Sequence, residues 1–175
     1  MPGSRATPEA LAALFAASEV RHPSDSLGFL VWQVTHAWQR HVEERLEPFG
    51  LTHLQFVVLI STAWHMKQGE TPSQAALARW ASIHPMQVSQ VVKLLIRKKL
   101  LLCEKMPSDA RAHRLALTQE GLARLGAAVP VMKAAHHSFF DAIGGTEQPL
   151  KALLGRLFEH LSTEQSLAPQ QDERA

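Results

Sequence analysis

Apolar residues recur at helical spacing along most of the chain. Leu27, Leu30, Val31, Val34, Ala37, Trp38, Val42, Leu46 and Phe49 predict one long helix, capped by Asp25 or Ser26 and ending at Gly50. Before it, Pro8 to Val20 predicts a short helix, closed off by the HPSD linker at 22–25. Thr52 caps another helix, whose stripe runs through Leu54, Val57, Val58, Ile60, Ser61 and Trp64 until QGETP at 68–72 breaks it. Ser73 caps a shorter one, SQAALARW; a few residues later, His84 and Pro85 open the next, with Val88, Val91, Val92, Leu95 and Ile96 as its inner face. A short helix, a tight turn and a second helix have the spacing of a helix-turn-helix.

The period then changes. LLLCEKM at 100–106 and RAHRLAL at 111–117 are strand-length, and PSDA between them supplies turn residues, so the pair predicts a β-hairpin. Thr118 caps a further helix, with Glu120 set against its positive end. Its apolar positions, Leu122, Leu125, Val129, Met132, His136, Phe139 and Ile143, step by threes and fours along one seam, with Pro130 expected to kink it. After GGTEQP at 144–149, Leu150, Leu153, Leu154, Leu157, Phe158 and Leu161 predict a last helix, and the polar end is expected to fray.

The fold class expected is mainly α, a winged helix-turn-helix with a small β-hairpin wing plus N- and C-terminal dimerisation helices. The expected division is residues 1–25 as an N-terminal extension, 26–50 and 118–165 as dimerisation helices, 51–117 as the DNA-binding domain and 166–175 as a frayed tail. The outer helices carry more apolar surface than a winged domain of about 70 residues covers by itself, which calls for a second copy.

Composition narrows the class. With 175 residues and 46% hydrophobic content the chain can build a real core. Its longest apolar runs, LGFLVW and FVVLI, are far shorter than the roughly 18 residues a membrane span needs, so no membrane partner is expected. ALAALFAA at 10–17 lacks the charged start and cleavage pattern of a leader, and the single cysteine excludes an internal disulfide framework. Both point to the cytoplasm. Cys103 itself, on the first wing strand, is expected to pack as a small hydrophobe.

Net charge is only +2, but it is unevenly placed. Residues 79–114 hold eight bases (Arg79, Lys93, Arg97, Lys98, Lys99, Lys105, Arg111, Arg114) against two acids (Glu104, Asp109), a local +6 that leaves −4 elsewhere. A basic block coinciding with a helix-turn-helix and hairpin is the asymmetry of a domain that meets a polyanion, here double-stranded DNA. On the helix opened by His84, the face opposite Val88, Val92 and Leu95 carries Met86, Gln87, Ser89, Gln90 and Lys93. Glutamine suits paired hydrogen bonds to adenine, and methionine suits a thymine methyl. At the hairpin tip a long cation, Arg111, can project into a narrow groove, oriented by Asp109. Arg97, Lys98, Lys105 and Arg114 are candidates for phosphates. Each of these positions also has a plainer reading as a solvated face or an exposed turn.

Asp109-Ala110-Arg111 followed by Leu115, Leu117-Thr118 and Gly121 resembles the wing signature of the MarR family of bacterial transcription regulators. Leu51-Thr52, Gln55, Val58-Leu59, Val88-Ser89, Val92, Leu95 and Leu100 extend the resemblance over about residues 26–162. It implies a homodimer, more often a repressor, with Arg111 in a minor groove. It also implies a pocket between the dimer helices and the reading head for a small aromatic or phenolic effector, for which Trp32, His36 and Trp64 are candidates. Ser82 departs from the family where glycine is frequent, His84 where an Asp cap is usual, and Ala110 and Gln90 where basic residues are common.

Other functions fit less well. A few members of that family sense zinc, and the chain has ten histidines, with His36 on the first long helix and His136 on the seam of the helix that follows the hairpin, but no ligand pair at metal spacing, so no metal is assigned. Peroxide-sensing members use a cysteine in the first long helix together with tyrosines, which this chain lacks. No nucleophile elbow, phosphate-cradling loop or paired carboxylates suggest an enzyme, and no cofactor is expected. The alternatives are a dimeric interaction protein that has lost DNA binding and a metal-responsive regulator of the same fold.

Overall fold

The computed structural model describes residues 5–18, 22–106, 109–144 and 147–167, with backbone alone for 105–106, 109–113 and 162–167. The helices are α1 (Pro8–Ala17), α2 (Leu27–Leu46), α3 (His53–Lys67), α4 (Gln74–Trp80), α5 (Pro85–Arg97), α6 (Gln119–Phe140) and α7 (Glu147–Leu167). One antiparallel hairpin, β1 (Leu101–Met106) with β2 (Asp109–Leu117), stands between α5 and α6. The chain divides into two units, residues 1–132 and 133–175. Among the described residues, no helix is long and apolar enough to cross a membrane.

Side-chain oxygens set the helix starts. Ser26 accepts from the Phe29 amide, Ser73 from Ala76 and Thr118 from Gly121, while Thr52 and Gln55 form a reciprocal capping box. Of the two caps considered for α2, Ser26 is used. The helix ends in a 3-10 turn, 47–49, closed by Gly50 at φ +61°, a conformation glycine adopts without steric cost. At the N-terminus α1 stops at Ala17, short of the expected Val20, which lies outside the described residues, and no residue of it is buried.

The core of the first unit joins Val42 and Leu46 of α2, Val58 and Leu59 of α3, Leu77 of α4, Val88, Val92 and Leu95 of α5, Leu115 of the hairpin and Leu125 of α6. On α3 the buried face differs from the expected stripe. It runs through Gln55, Val58, Leu59, Ser61 and Thr62, and leaves Trp64 half exposed. The two hydroxyls are admitted because each donates to the carbonyl four residues back, Ser61 to Val57 at 2.6 Å and Thr62 to Val58 at 2.8 Å.

The buried face of α6 shares Leu125 and the half-buried Met132 with the expected seam and otherwise runs one position earlier. Gly121, Leu125, Ala128 and Ala135 are buried, whereas Leu122 and Val129 of the expected seam are exposed. Small residues let the helix approach its neighbours closely: at Gly121 a β-carbon would sit 2.0 Å from the Leu100 carbonyl oxygen. Pro130 lies inside α6, which continues as helix to Phe140.

Cys103 also departs from expectation, because its side chain is exposed on β1 and is no part of the core. Alternation alone does not account for this, because Cys103 shares its face of the strand with buried Leu101, and its cross-strand partner Leu115 is fully buried. The expected turn PSDA is shorter than predicted, since Asp109 already belongs to β2 and pairs with Met106. Pro107 and Ser108 lie outside the described residues, as do 168–175 of the expected tail.

Candidate nucleic-acid interface

The helix-turn-helix is held by one side only. Val88, Val92 and Leu95 of α5 are fully buried and Val91 nearly so, which anchors the helix by a single stripe. Opposite them, Met86 is 65% exposed, Gln87, Gln90 and Lys93 are exposed and Ser89 is half-buried. The five residues named for base contact thus share the free side of α5. Ile96, expected on the inner face, is 37% exposed, because the buried stripe is complete at Leu95 and the next residue is rotated about 100° from it.

Two departures from the resembled family acquire a local explanation. Ser82, in the turn between α4 and α5, has φ +52°, the left-handed backbone that favours the glycine it replaces. His84 substitutes for an acidic cap, its Nδ1 accepting from the Met86 amide at 3.3 Å. Pro85 then fills the first helical position.

The hairpin register is regular from Leu101↔Leu117 to Lys105↔His113, then jumps to Met106↔Asp109. Residues 110–112 are taken up in that irregularity, so the backbone of Arg111 lies within β2, two residues past Asp109. A bulge adds residues to one strand and leaves no mark in an alternating sequence pattern. The side chains of Lys105, Asp109 and Arg111 fall outside the described residues.

Two of the basic side chains are already engaged. Arg114 is half-buried at the root of the wing, where Nη1 donates to the Thr71 carbonyl at 3.2 Å and the Leu115 amide donates to Pro72 at 2.9 Å. Its Nε is buried with no hydrogen-bond partner among the described residues. Lys98 donates to the carbonyl of Gly50 and to the side-chain oxygen of Gln55, so it is a tie within the fold, not the phosphate contact that its place in the basic block suggested. Lys93, Arg97 and Lys99 are exposed.

Of the three effector candidates, two meet. The rings of Trp32 and His36 lie 4.2 Å apart on α2, with His36 Nδ1 2.8 Å from the Trp32 carbonyl. Trp64 is half exposed on α3, where Lys67 Nζ lies 5.3 Å from its ring centroid. His136 Nε2 is 2.9 Å from Glu147 Oε1 in the second unit, and that contact holds the Glu147 carboxyl below its ordinary pKa. Among the described residues no three His, Cys, Asp or Glu side chains gather as metal ligands.

No protein-family model matches the chain. A curated relative, the uncharacterized HTH-type transcriptional regulator YdcH of Bacillus subtilis (strain 168), is 39% identical over 136 residues, 78% of this chain and 92% of its own. Among solved structures, CouR from Rhodococcus jostii RHA1 bound to p-coumaroyl-CoA is 25% identical, with TM-score 0.70 over 82% of this chain and 96% of that one. CouR bound to a 23-mer DNA duplex gives 0.68 at 24% identity, over 79% and 94% of the two chains. A transcriptional regulator (MarR family) from Rhodococcus sp. RHA1 also gives 0.68 at 24%, over 82% and 98%. With the reading helix, the wing and a relative this similar over most of both lengths, the chain belongs to the MarR family of winged helix-turn-helix transcriptional regulators.

Proposed function

We propose that the protein is a cytoplasmic, sequence-specific DNA-binding regulator, more often repressing than activating, that acts as a homodimer on a pseudo-palindromic operator. The observation that carries this reading is the free side of α5: Met86, Gln87, Gln90 and Lys93 stand exposed on a helix whose other side is anchored in the core. Each protomer lays that side in a major groove, with Ser89 beside it, and places Arg111, oriented by Asp109, in the flanking minor groove. Exposed Lys93 and Arg97 supply sequence-independent attraction to phosphates, while Arg114 acts from the wing root.

Dimerisation is supported by apolar residues that the single chain leaves in solvent: Leu27, Val31 and Val34 on α2 and Leu153, Leu157 and Phe158 on α7 are all 48–76% exposed. In this reading residues 26–50 and 118–165 are the dimerisation segments and 51–117 the reading head. The Trp32–His36 pair, with Trp64, is the candidate wall for a small aromatic effector, which releases DNA by favouring a spacing of the heads that does not fit the operator. The chain is assigned no enzymatic activity.

The test is fluorescence anisotropy on DNA from the protein's own upstream region and on a scrambled duplex, across a salt series. The expected result is at least ~10³-fold tighter binding to its own DNA, with both affinities falling steeply with salt. Absence of binding to either duplex overturns the reading in favour of a dimeric interaction protein.

A further inference from the structure

A cavity of about 360 Å³ lies at the root of the wing, between the end of α3, the connection at 69–72, the first turn of α4 and β2. Three ionisable side chains line it: His65, Glu70 and Arg114. His65 Nδ1 is 2.9 Å from Glu70 Oε2, so a neutral imidazole keeps its one proton on Nδ1, donated to that carboxylate. The remaining ring nitrogen, His65 Nε2, and the Nε of Arg114 are both buried with no hydrogen-bond partner among the described residues. Buried polar atoms without partners are rare in folded proteins, and two from residues that line one cavity point to a ligand that satisfies both.

The chemistry of the two nitrogens selects that ligand. Arg114 Nε can only donate, so the ligand must accept. His65 Nε2 accepts in the neutral ring and donates in the protonated one. With a neutral ring the cavity holds one cation against one carboxylate; with a protonated ring it holds two, an excess that one singly charged anion balances. An anion bonded to Arg114 therefore favours the His65 imidazolium, and Glu70 beside Nδ1 favours the same form. On the side of α4 the ring meets Trp80 edge-on at 6.2 Å, which adds no charge.

We propose that this cavity is an oxyanion site for a phosphate group, and that filling it takes up one proton, on His65. In a helix-turn-helix the first helix crosses the DNA backbone, and here that helix, α4, and the root of the wing both border the cavity. A backbone phosphate that enters accepts from Arg114 Nε and from the newly protonated His65 Nε2. Arg114, tied to the Thr71 carbonyl, is the fixed cation and His65 the conditional one. Affinity for DNA thus gains a contribution that is present below the pH range in which histidine titrates and lost as pH rises through it. The DNA backbone as source of the phosphate rests on the function proposed above; the oxyanion site does not.

The test follows the imidazole signals of His65, assigned through its own backbone amide, against pH in the full-length ¹⁵N-labelled protein. Three samples are compared at matched ionic strength: chloride alone, inorganic phosphate, and saturating upstream duplex. The His65 titration is expected to move to higher pH with the duplex. A shift with inorganic phosphate as well supports a site that also takes the free anion, and a shift with the duplex alone supports the DNA backbone as its source. A titration unmoved in both overturns the site and leaves the two nitrogens to a bridging water. In anisotropy, the ratio of duplex affinity at pH 6 to that at pH 8 should be at least ~3-fold larger in the wild type than in His65→Gln, which cannot titrate. Equal ratios overturn the proton linkage. The imidazole titration uses the wild type alone, so it decides the site even where His65→Gln fails to fold. A protein that binds no duplex defeats the proposed function, and the inorganic phosphate sample then decides the site by itself.

Discussion

The Lys98 ammonium donates to the Gly50 carbonyl at 2.6 Å, across 48 residues of sequence, and to Gln55 Oε1 at 2.9 Å. It joins the C-terminal end of α5 to the joint between α2 and α3, where the backbone turns left-handed. Lys98→Met keeps the aliphatic stem and removes the donor, and should cost about 1 kcal/mol in chemical denaturation. The salt dependence of DNA binding should stay as it is, because this ammonium is not offered to a phosphate. A slope reduced by about one, at unchanged stability, would return Lys98 to the group of phosphate contacts.

Two glycines of α6 should respond in opposite directions. A methyl at Gly121 meets the Leu100 carbonyl oxygen at 2.0 Å and its carbon at 2.9 Å, backbone atoms that cannot rotate away. Gly121→Ala should therefore destabilise by about 3 kcal/mol or more, or fail to accumulate as soluble protein. Gly126 has nothing within 4 Å of the same added atom. Gly126→Ala should stabilise by about 0.5–1 kcal/mol through helix propensity alone, and thermal melts of the two variants check both.

These two sites mark how far the sequence can be read. Caps and periods place the helices, because a Ser or Thr before a 3.6-residue stripe has one local meaning; Thr52, Ser73 and Thr118 all cap as expected. The free side of α5 is legible for the same reason. What periodicity hides is which of two interleaved seams faces the core, since Leu122 and Gly121 both start runs of threes and fours and only packing against Leu100 selects the glycine. Long-range ties are hidden too: nothing local distinguishes Lys98 from Lys99, yet one is bonded to Gly50 and the other is exposed in a left-handed turn. The cavity lined by His65 and Arg114 combines segments whose only shared feature is their place in the fold.

His53 should make stability depend on pH. Burial disfavours its cation in the folded state, so its pKa lies below the ordinary 6.5 that the unfolded chain keeps. Between those two values the unfolded state binds more protons, and stability falls as pH is lowered from about 7 into that window. His53→Gln should flatten this acid limb relative to wild type in denaturation series at pH 7.5 and pH 5. Glu43→Gln should steepen it, because Glu43 favours the His53 cation. Identical acid limbs in all three proteins would count against the burial of this ring.

Removing one wing cation should separate affinity from assembly. Arg111 lies in the irregular stretch of β2 two residues past Asp109 and belongs to none of the segments proposed for dimerisation, so Arg111→Ala should leave the dimer intact in sedimentation. Its operator affinity should fall by about 1–3 kcal/mol, roughly 5- to 150-fold, as expected for loss of one groove contact. Gln90→Ala, on the exposed side of α5, should instead relax base preference, narrowing the gap between cognate and scrambled duplexes more than it lowers binding to both. A uniform loss on the two duplexes from Gln90→Ala would place that side chain on the phosphate backbone and shift base readout toward Met86 and Gln87.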